Sequence, residues 1–128
     1  MDELLKLIDT LLGENGCPWD KKQTHASLRS YIVEEANEAA EAIDAGDFNG
    51  LCEELGDVLF QVAFHAKLAE RSQLFDMDDI IQGVMEKMVS RHSHIFGSDS
   101  AESAEEVERL WRANKIKEKE RKTARAVE

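Results

Sequence analysis

The chain has 128 residues, of which 42% are hydrophobic, and its formal net charge is −11. This length suits one domain with a real core, and the absence of any run of about 18 apolar residues excludes a membrane-spanning helix. The negative charge argues against a nucleic-acid polymer as partner, because nucleic acids bind basic patches. An acidic start without an apolar segment, and only two cysteines, lead us to expect a cytoplasmic protein with reduced thiols.

One proline and few β-branched runs predict an all-α fold, an antiparallel bundle of four to five helices. Leucine and isoleucine at helical spacing place the first helix at residues 2–12. The segment from Gly13 to Gly16 ends this helix, and Pro18 is expected to keep the next stretch non-helical. Trp19 in that stretch could be a packing anchor or one wall of a ligand site.

The second predicted helix begins near Thr24 or Ser27 and runs to Ala45. One side of it is apolar, Glu35 lies at the border of that side, and the opposite side is acidic, with Glu34, Glu38 and Glu41. Considered alone, such an acidic side is most simply exposed to water.

The third predicted helix, residues 51–68, is apolar around most of its circumference, which is typical of a buried helix. Its only polar strip contains Glu54, Asp57, Gln61 and His65. We therefore expect Glu54 and Asp57 to face inward, where unpaired charges are costly and are usually paired or bound to metal. The short turn at residues 44–47 predicts that this helix runs antiparallel to the second, so that the two acidic strips meet.

Carboxylates at three- and four-residue spacings repel one another on a helical face, so a cation is expected among them. Oxygen ligands without thiol or imidazole favour magnesium, manganese or calcium. No twelve-residue calcium loop is present, and no histidine has a glutamate three residues before it, as helical di-iron sites require. Magnesium fits best, and the chemistry that it indicates is attack on a phosphorus atom.

A fourth helix is predicted after Asp76, with methionines in its apolar stripe. Lys87 and Arg91 near its end could bind phosphate, although cations are also common at helix C-termini. His92 and His94 are predicted to follow in a loop, where a structural role is favoured over metal binding.

A last helix is predicted to begin at Ser103, because Ser103 and Glu106 match a capping box. Trp111 and Lys115 are neighbours on this helix at i and i+4. Residues 118–128 carry charge all round and are predicted to be a frayed helix or a disordered tail.

Together these segments resemble the MazG-type nucleoside triphosphate pyrophosphohydrolases. The resemblance covers about residues 4–117 and includes several blocks in order. These are Gly16–Asp20 with Gln23 and Thr24, the acids Glu34, Glu35 and Glu38, the segment Glu54–Gln61, the segment Arg91–Phe96, and the pair Trp111 and Lys115. Residues 1–117 would then be one helical domain.

The resemblance implies a helical bundle completed by dimerisation, as a homodimer or a dimer of dimers. It also implies magnesium-dependent hydrolysis of a nucleoside triphosphate to the monophosphate and pyrophosphate, with manganese as a substitute metal. By position, the metal would be held by Glu35, Glu38, Glu54 and Asp57, and the substrate by Lys87, Arg91, Trp111 and Lys115. Either Glu34 or Glu38 could accept the proton of the attacking water.

Two positions depart from the family pattern. Ser93 replaces a usual proline and Ser90 a common arginine. These changes predict a looser loop and a weaker phosphate grip, but they leave the acids intact. Longer relatives carry two such units, and this chain is expected to be a single unit. The alternative function is a non-catalytic helical module of the same fold that dimerises and binds a regulatory protein.

Overall fold

The computed structural model describes the backbone of residues 1–127 and the side chains of residues 1–122. This part of the chain contains seven helices and no strand, which confirms the all-α prediction. The helices are α1 (Asp2–Leu12), α2 (Pro18–Lys21), α3 (His25–Ala45), α4 (Phe48–Arg71), α5 (Met77–Arg91), α6 (Ser93–Phe96) and α7 (Ala104–Val127). None of these helices is both long enough and apolar enough to cross a membrane.

The chain forms two compact units, Met1–Met77 and Asp78–Glu128. In the first unit, α3 and α4 form an antiparallel hairpin, and α1 packs against α4. The core of this unit consists mainly of small and aliphatic side chains around one phenylalanine: Ile8, Leu12, Leu28, Ala39, Ala63, Phe64, Ala66, Ala69 and Met77.

The turn between α3 and α4 needs a glycine. Gly46 has φ +68°, in the left-handed region, and its N–H donates to the carbonyl of Ile43 while the N–H of Asp47 donates to that of Ala42. This pair of bonds is the Schellman ending of a helix. Asp47 then caps α4, because its Oδ1 accepts from the N–H of Gly50 at 3.0 Å. Only two residues, Gly46 and Asp47, therefore separate the end of α3 from the start of α4, and this short turn places the two helices side by side.

The other end of α3 is held by a capping box. The N–H of Ser27 donates to Thr24 Oγ1 at 3.0 Å, and the N–H of Thr24 donates to Ser27 Oγ at 2.8 Å. The prediction that α3 begins near Thr24 or Ser27 and ends at Ala45 is confirmed.

Three local predictions were wrong or incomplete. Pro18 begins the short helix α2, because a proline at the first helical position loses no hydrogen bond. His92 lies in the turn before the short helix α6, as predicted, whereas His94 lies within α6 and not in a loop. Helix α7 continues without a break through residue 117 to Val127, so of the two predicted states of this segment the structure shows the helical one for residues 118–127. The domain boundary predicted at residue 117 therefore falls within a helix.

Within the second unit, side chains tie α6 to α7. Asn114 is buried, and its Nδ2 donates to Ser93 Oγ at 2.8 Å. Ser93 thus ties this segment to α7, and the looser loop stays a prediction.

Candidate metal and nucleotide site

Four carboxylates converge between α3 and α4. Glu35 and Glu38 come from α3, Glu54 and Asp57 come from α4, and one oxygen of each lies within 4.8 Å of the other three. The spacings i, i+3 on each helix and the antiparallel hairpin produce this convergence. The sequence analysis predicted all four residues, and the structure brings them together.

The four acids differ in exposure. Glu35, Glu38 and Glu54 are half-buried, whereas Asp57 is exposed, so the expectation that Asp57 faces inward was wrong. The reason is that α4 is buried mainly on its C-terminal half, from Ala63 onward, and its N-terminal half is open. Glu34 is exposed beside the cluster.

Two of the four carboxyl groups have raised pKa values. A hydrogen bond with the Glu38 side chain, followed by burial and by the charges of Glu38, Asp57 and Glu35, raises the pKa of Glu54 to about 7. Burial, followed by the charge and hydrogen bond of Glu38 and the charges of Asp57 and Glu34, raises the pKa of Glu35. Both pKa shifts reflect the unfavourable energy of placing a further negative charge in this site.

Two buried oxygens of this cluster indicate whether a cation would fit between the acids. Glu35 Oε2 and Glu54 Oε2 are buried and have no hydrogen-bond partner. Buried acceptors of this kind are costly unless something positive or a donor reaches them. Four oxygen donors within one ion's reach, two of them unsatisfied, fit a hard divalent cation.

The predicted substrate-binding residues lie in the second unit, where three of them touch. The guanidinium carbon of Arg91 lies 4.8 Å from the centre of the Trp111 ring, and Lys115 Nζ lies 5.6 Å from it. Arg91 Nη2 is also 3.4 Å from an oxygen of Glu118. Both partners of this ion pair are largely buried, with 13% and 12% of their side chains exposed.

Lys87 does not join that group. It is exposed on α5 and lines a cleft of about 370 Å³ that also includes Arg121 and Lys122 of α7, with Glu86 and Glu118 as the acidic members. The two predicted phosphate-binding residues thus differ: Lys87 is exposed on the cleft, whereas Arg91 is already paired with Glu118.

The remaining candidate residues have structural partners. His92 Nδ1 lies 2.6 Å from the carbonyl oxygen of Met88, as expected for a structural histidine. Trp19 is 52% exposed, and its ring meets that of Tyr31 edge to face at 6.0 Å. Cys17 and Cys52 are both free thiols.

Sequence reasoning missed Glu118, which was assigned to the tail, although its spacing from Trp111 and Lys115 (i, i+4, i+7) places all three on one face of α7. It also missed the pairing of His25 with His65, because the two are 40 residues apart and no local pattern joins them.

Comparison with known proteins places this geometry in a family. The model of the MazG nucleotide pyrophosphohydrolase domain matches residues 23–96, more than half of the chain, including all four acids. The chain belongs to the MazG family.

Named relatives agree with this assignment. A nucleoside triphosphate pyrophosphohydrolase of Escherichia coli is 43% identical over 123 residues, which are 95% of this chain and 47% of that protein. The uncharacterized protein YabN of Bacillus subtilis is 49% identical over 113 residues, which are 88% of this chain and 23% of YabN. The chain thus spans about half or less of the length of these two relatives.

A solved structure supports the fold independently. The crystal structure of a mazG-related protein from Thermotoga maritima matches with a TM-score of 0.72 and 33% identity. The match covers 91% of this chain and 99% of that one.

Proposed function

We propose that this MazG domain is a magnesium-dependent nucleoside triphosphate pyrophosphohydrolase, which cleaves between the α and β phosphorus atoms. The observation that carries the proposal is the convergence of four carboxylates with two unpartnered buried oxygens. Membership of the MazG family and the similarity to a nucleoside triphosphate pyrophosphohydrolase of Escherichia coli support the reaction class.

In this proposal Glu35, Glu38, Glu54 and Asp57 hold Mg²⁺, with Mn²⁺ as a substitute. A divalent ion held there supplies positive charge that neutralises phosphate oxygens and makes a nearby water more acidic. The raised pKa of Glu54 opposes ion binding at low pH, since a metal ligand has to be deprotonated.

Glu34 and Glu38 are the two candidates for accepting the proton of the attacking water. Glu38 bonds to both Glu35 and Glu54, so its oxygens are committed within the cluster. Glu34 is exposed at the edge, and its charge acts on Glu35. A carboxylate that stays outside the ligand set retains a lone pair for a proton, and this supports Glu34 for the role.

For the substrate, we propose that Lys87, Arg91, Trp111 and Lys115 bind the nucleoside triphosphate. The exposed position of Lys87 on a cleft with two further cations supports phosphate binding. Arg91 differs from Lys87, because it is already paired with Glu118. Together with Lys115 it lies against the ring of Trp111. The two free thiols support a cytoplasmic location.

The test is a panel of ordinary, deoxy and oxidised nucleoside triphosphates incubated with the protein and Mg²⁺. We expect equal amounts of nucleoside monophosphate and pyrophosphate, resolved by ion-exchange chromatography. Release of orthophosphate and a nucleoside diphosphate would contradict the cleavage position. A panel without turnover, together with no Mg²⁺ binding in calorimetry, would favour the non-catalytic module.

We also propose that the chain forms at least a homodimer. Leu55 and Leu59 of α4 are 53% and 42% exposed, one helical turn apart and beside the acid cluster. Apolar side chains in this position are typical of an interface. Size-exclusion chromatography with light scattering at micromolar concentration should give twice the chain mass of 14.5 kDa or more. A Leu59→Glu variant should shift the mass toward that of one chain, and a monomeric wild type would refute the proposal.

A further inference from the structure

Two histidines, His25 and His65, meet across the α3–α4 hairpin. Their Nδ1 atoms are 2.7 Å apart, the ring planes differ by 14°, and the ring centres are 5.0 Å apart. Rings with centres this far apart can bring their nitrogens so close only if both nitrogens lie near the line that joins the centres. The rings are therefore joined edge to edge by a hydrogen bond, and they do not stack face to face.

Such a bond holds one proton. One Nδ1 must carry the hydrogen, and the other must present its lone pair. If both imidazoles become charged, both Nδ1 atoms carry hydrogen and face each other as donors. The hydrogen bond is then lost, and two positive charges remain at close range.

The surroundings of His65 oppose that second charge. Burial, followed by the charge of His25, lowers the pKa of His65. The other ring nitrogen of His65, Nε2, is buried without a partner, so a proton placed on it would be a buried donor without an acceptor. His25 is the first residue of α3 and is exposed.

Two acids of α1 and α4, Asp9 and Glu70, are already paired with cations. On the neighbouring helix α1, Asp9 pairs with Lys67 at 3.0 Å and with Arg71 at 4.0 Å, and Glu70 pairs with the same lysine at 2.9 Å. Arg29, one turn after His25 on α3, is a further cation. His25 is the charged group that shifts the pKa of His65.

The position of the pair gives it a role. The covalent turn at Gly46 and Asp47 closes one end of the hairpin, and the histidine pair lies near its other end, at the start of α3 and in the last two turns of α4. The four acids lie between these two closures. We propose that His25 and His65 form a one-proton latch that closes the open end of the α3–α4 hairpin and releases it when acid pH charges both rings.

The sign of the effect follows from linkage. In the unfolded chain both histidines titrate near their usual pKa of about 6.5, whereas in the folded chain the pKa of His65 is lowered. The unfolded state then binds more protons, so the stability contributed by the latch is present above that pH and is lost as the pH falls below it. The latch depends on the proposed function in one respect only, namely that the hairpin which it closes carries the proposed metal ligands.

The test compares wild type with His25→Gln, which removes one titrating ring and keeps a polar side chain. Chemical unfolding is followed from pH 7.5 to pH 5.5 with a chelator present. We expect the unfolding equilibrium constant of wild type to rise at least about twofold more than that of His25→Gln over this range, because the variant keeps the burial of His65 but loses the second ring and its charge. His94→Gln, which removes a histidine from the second unit, is the matched control and should behave as wild type. Parallel pH curves for wild type and His25→Gln would overturn the latch.

A second measurement needs no variant. Long-range ¹H–¹⁵N spectra of the wild-type imidazoles at pH 8 should show one Nδ1-bound hydrogen shared by His25 and His65, and this signal should disappear on acidification. Two Nε2-bound tautomers with no Nδ1 hydrogen at pH 8 would contradict the proposal. Neither readout uses a nucleotide, so failure of the latch and failure of the proposed activity are separate results.

Discussion

Replacing Glu38 with glutamine should reduce the rate of pyrophosphate release by at least about a hundredfold. Glu38 is central to the cluster, because its side chain bonds to both Glu35 and Glu54. The glutamine keeps the volume but removes the charge and one lone-pair oxygen, so both the cation and the orientation of its neighbours are affected. The measurement is the initial rate of pyrophosphate formation at saturating nucleotide, at several Mg²⁺ concentrations.

Glu41→Gln is the matched control for this variant. It removes the same charge from the same helix, one turn further on, at an exposed position outside the cluster. We expect it to retain the wild-type rate within about twofold, since surface substitutions away from such features have small effects. Equal losses in both variants would show that general charge, and not the cluster, determines the rate. An unchanged Glu38→Gln rate would remove Glu38 from the site.

The sequence was most informative about the four acids, because their positions follow from helical spacing. Glu35 and Glu38 on one helix, and Glu54 and Asp57 on the next, needed only the periodicity and a short turn to be placed together. Gly46 and Asp47 supply that turn through one left-handed residue and one cap, both of which are recognisable in the sequence.

The sequence was least informative where an interaction joins distant residues or where burial is uneven along a helix. Asp57 is exposed although its helix is strongly apolar, because only the later half of α4 is covered within the chain. Glu118 was read as part of a charged tail, yet its ion pair with Arg91 is largely buried. The pairing of His25 and His65 depends on the exact register of α3 against α4, which no single-sequence pattern fixes.

The second large effect concerns the protein without metal, in which Glu54→Gln should raise the melting temperature at pH 8. The folded-state pKa of Glu54 is about 7, against a normal value of 4.5, so between these pH values the folded state holds a proton that the unfolded state has lost. The stability that this proton contributes is present below about pH 4.5 and is lost as the pH rises through 7. At pH 8 the Glu54 carboxylate of the wild type is therefore mostly charged and repels its acidic neighbours, and the neutral glutamine relieves that repulsion.

Mg²⁺ should reverse the order of the two proteins at pH 8. An ion that binds only the folded state at a hundred times its dissociation constant adds about 2.7 kcal/mol, which corresponds to a rise in melting temperature of at least about 4 °C. The wild type should gain this stability, and Glu54→Gln, which lacks one ligand, should gain much less. Glu53→Gln, at the adjacent exposed position, controls for the loss of a charge.

The acid cluster and the histidine latch have opposite signs, so their contributions can be separated in one set of melting curves. Raising the pH from 5 to 8 removes stability at Glu54 and adds it at His65. With a chelator present, the melting temperature reports both effects together. At pH 8, saturating Mg²⁺ suppresses the contribution of the carboxylates. If Mg²⁺ gave Glu54→Gln and wild type the same rise at pH 8, the carboxylates would not be holding the ion, and the convergence between α3 and α4 would have no catalytic meaning.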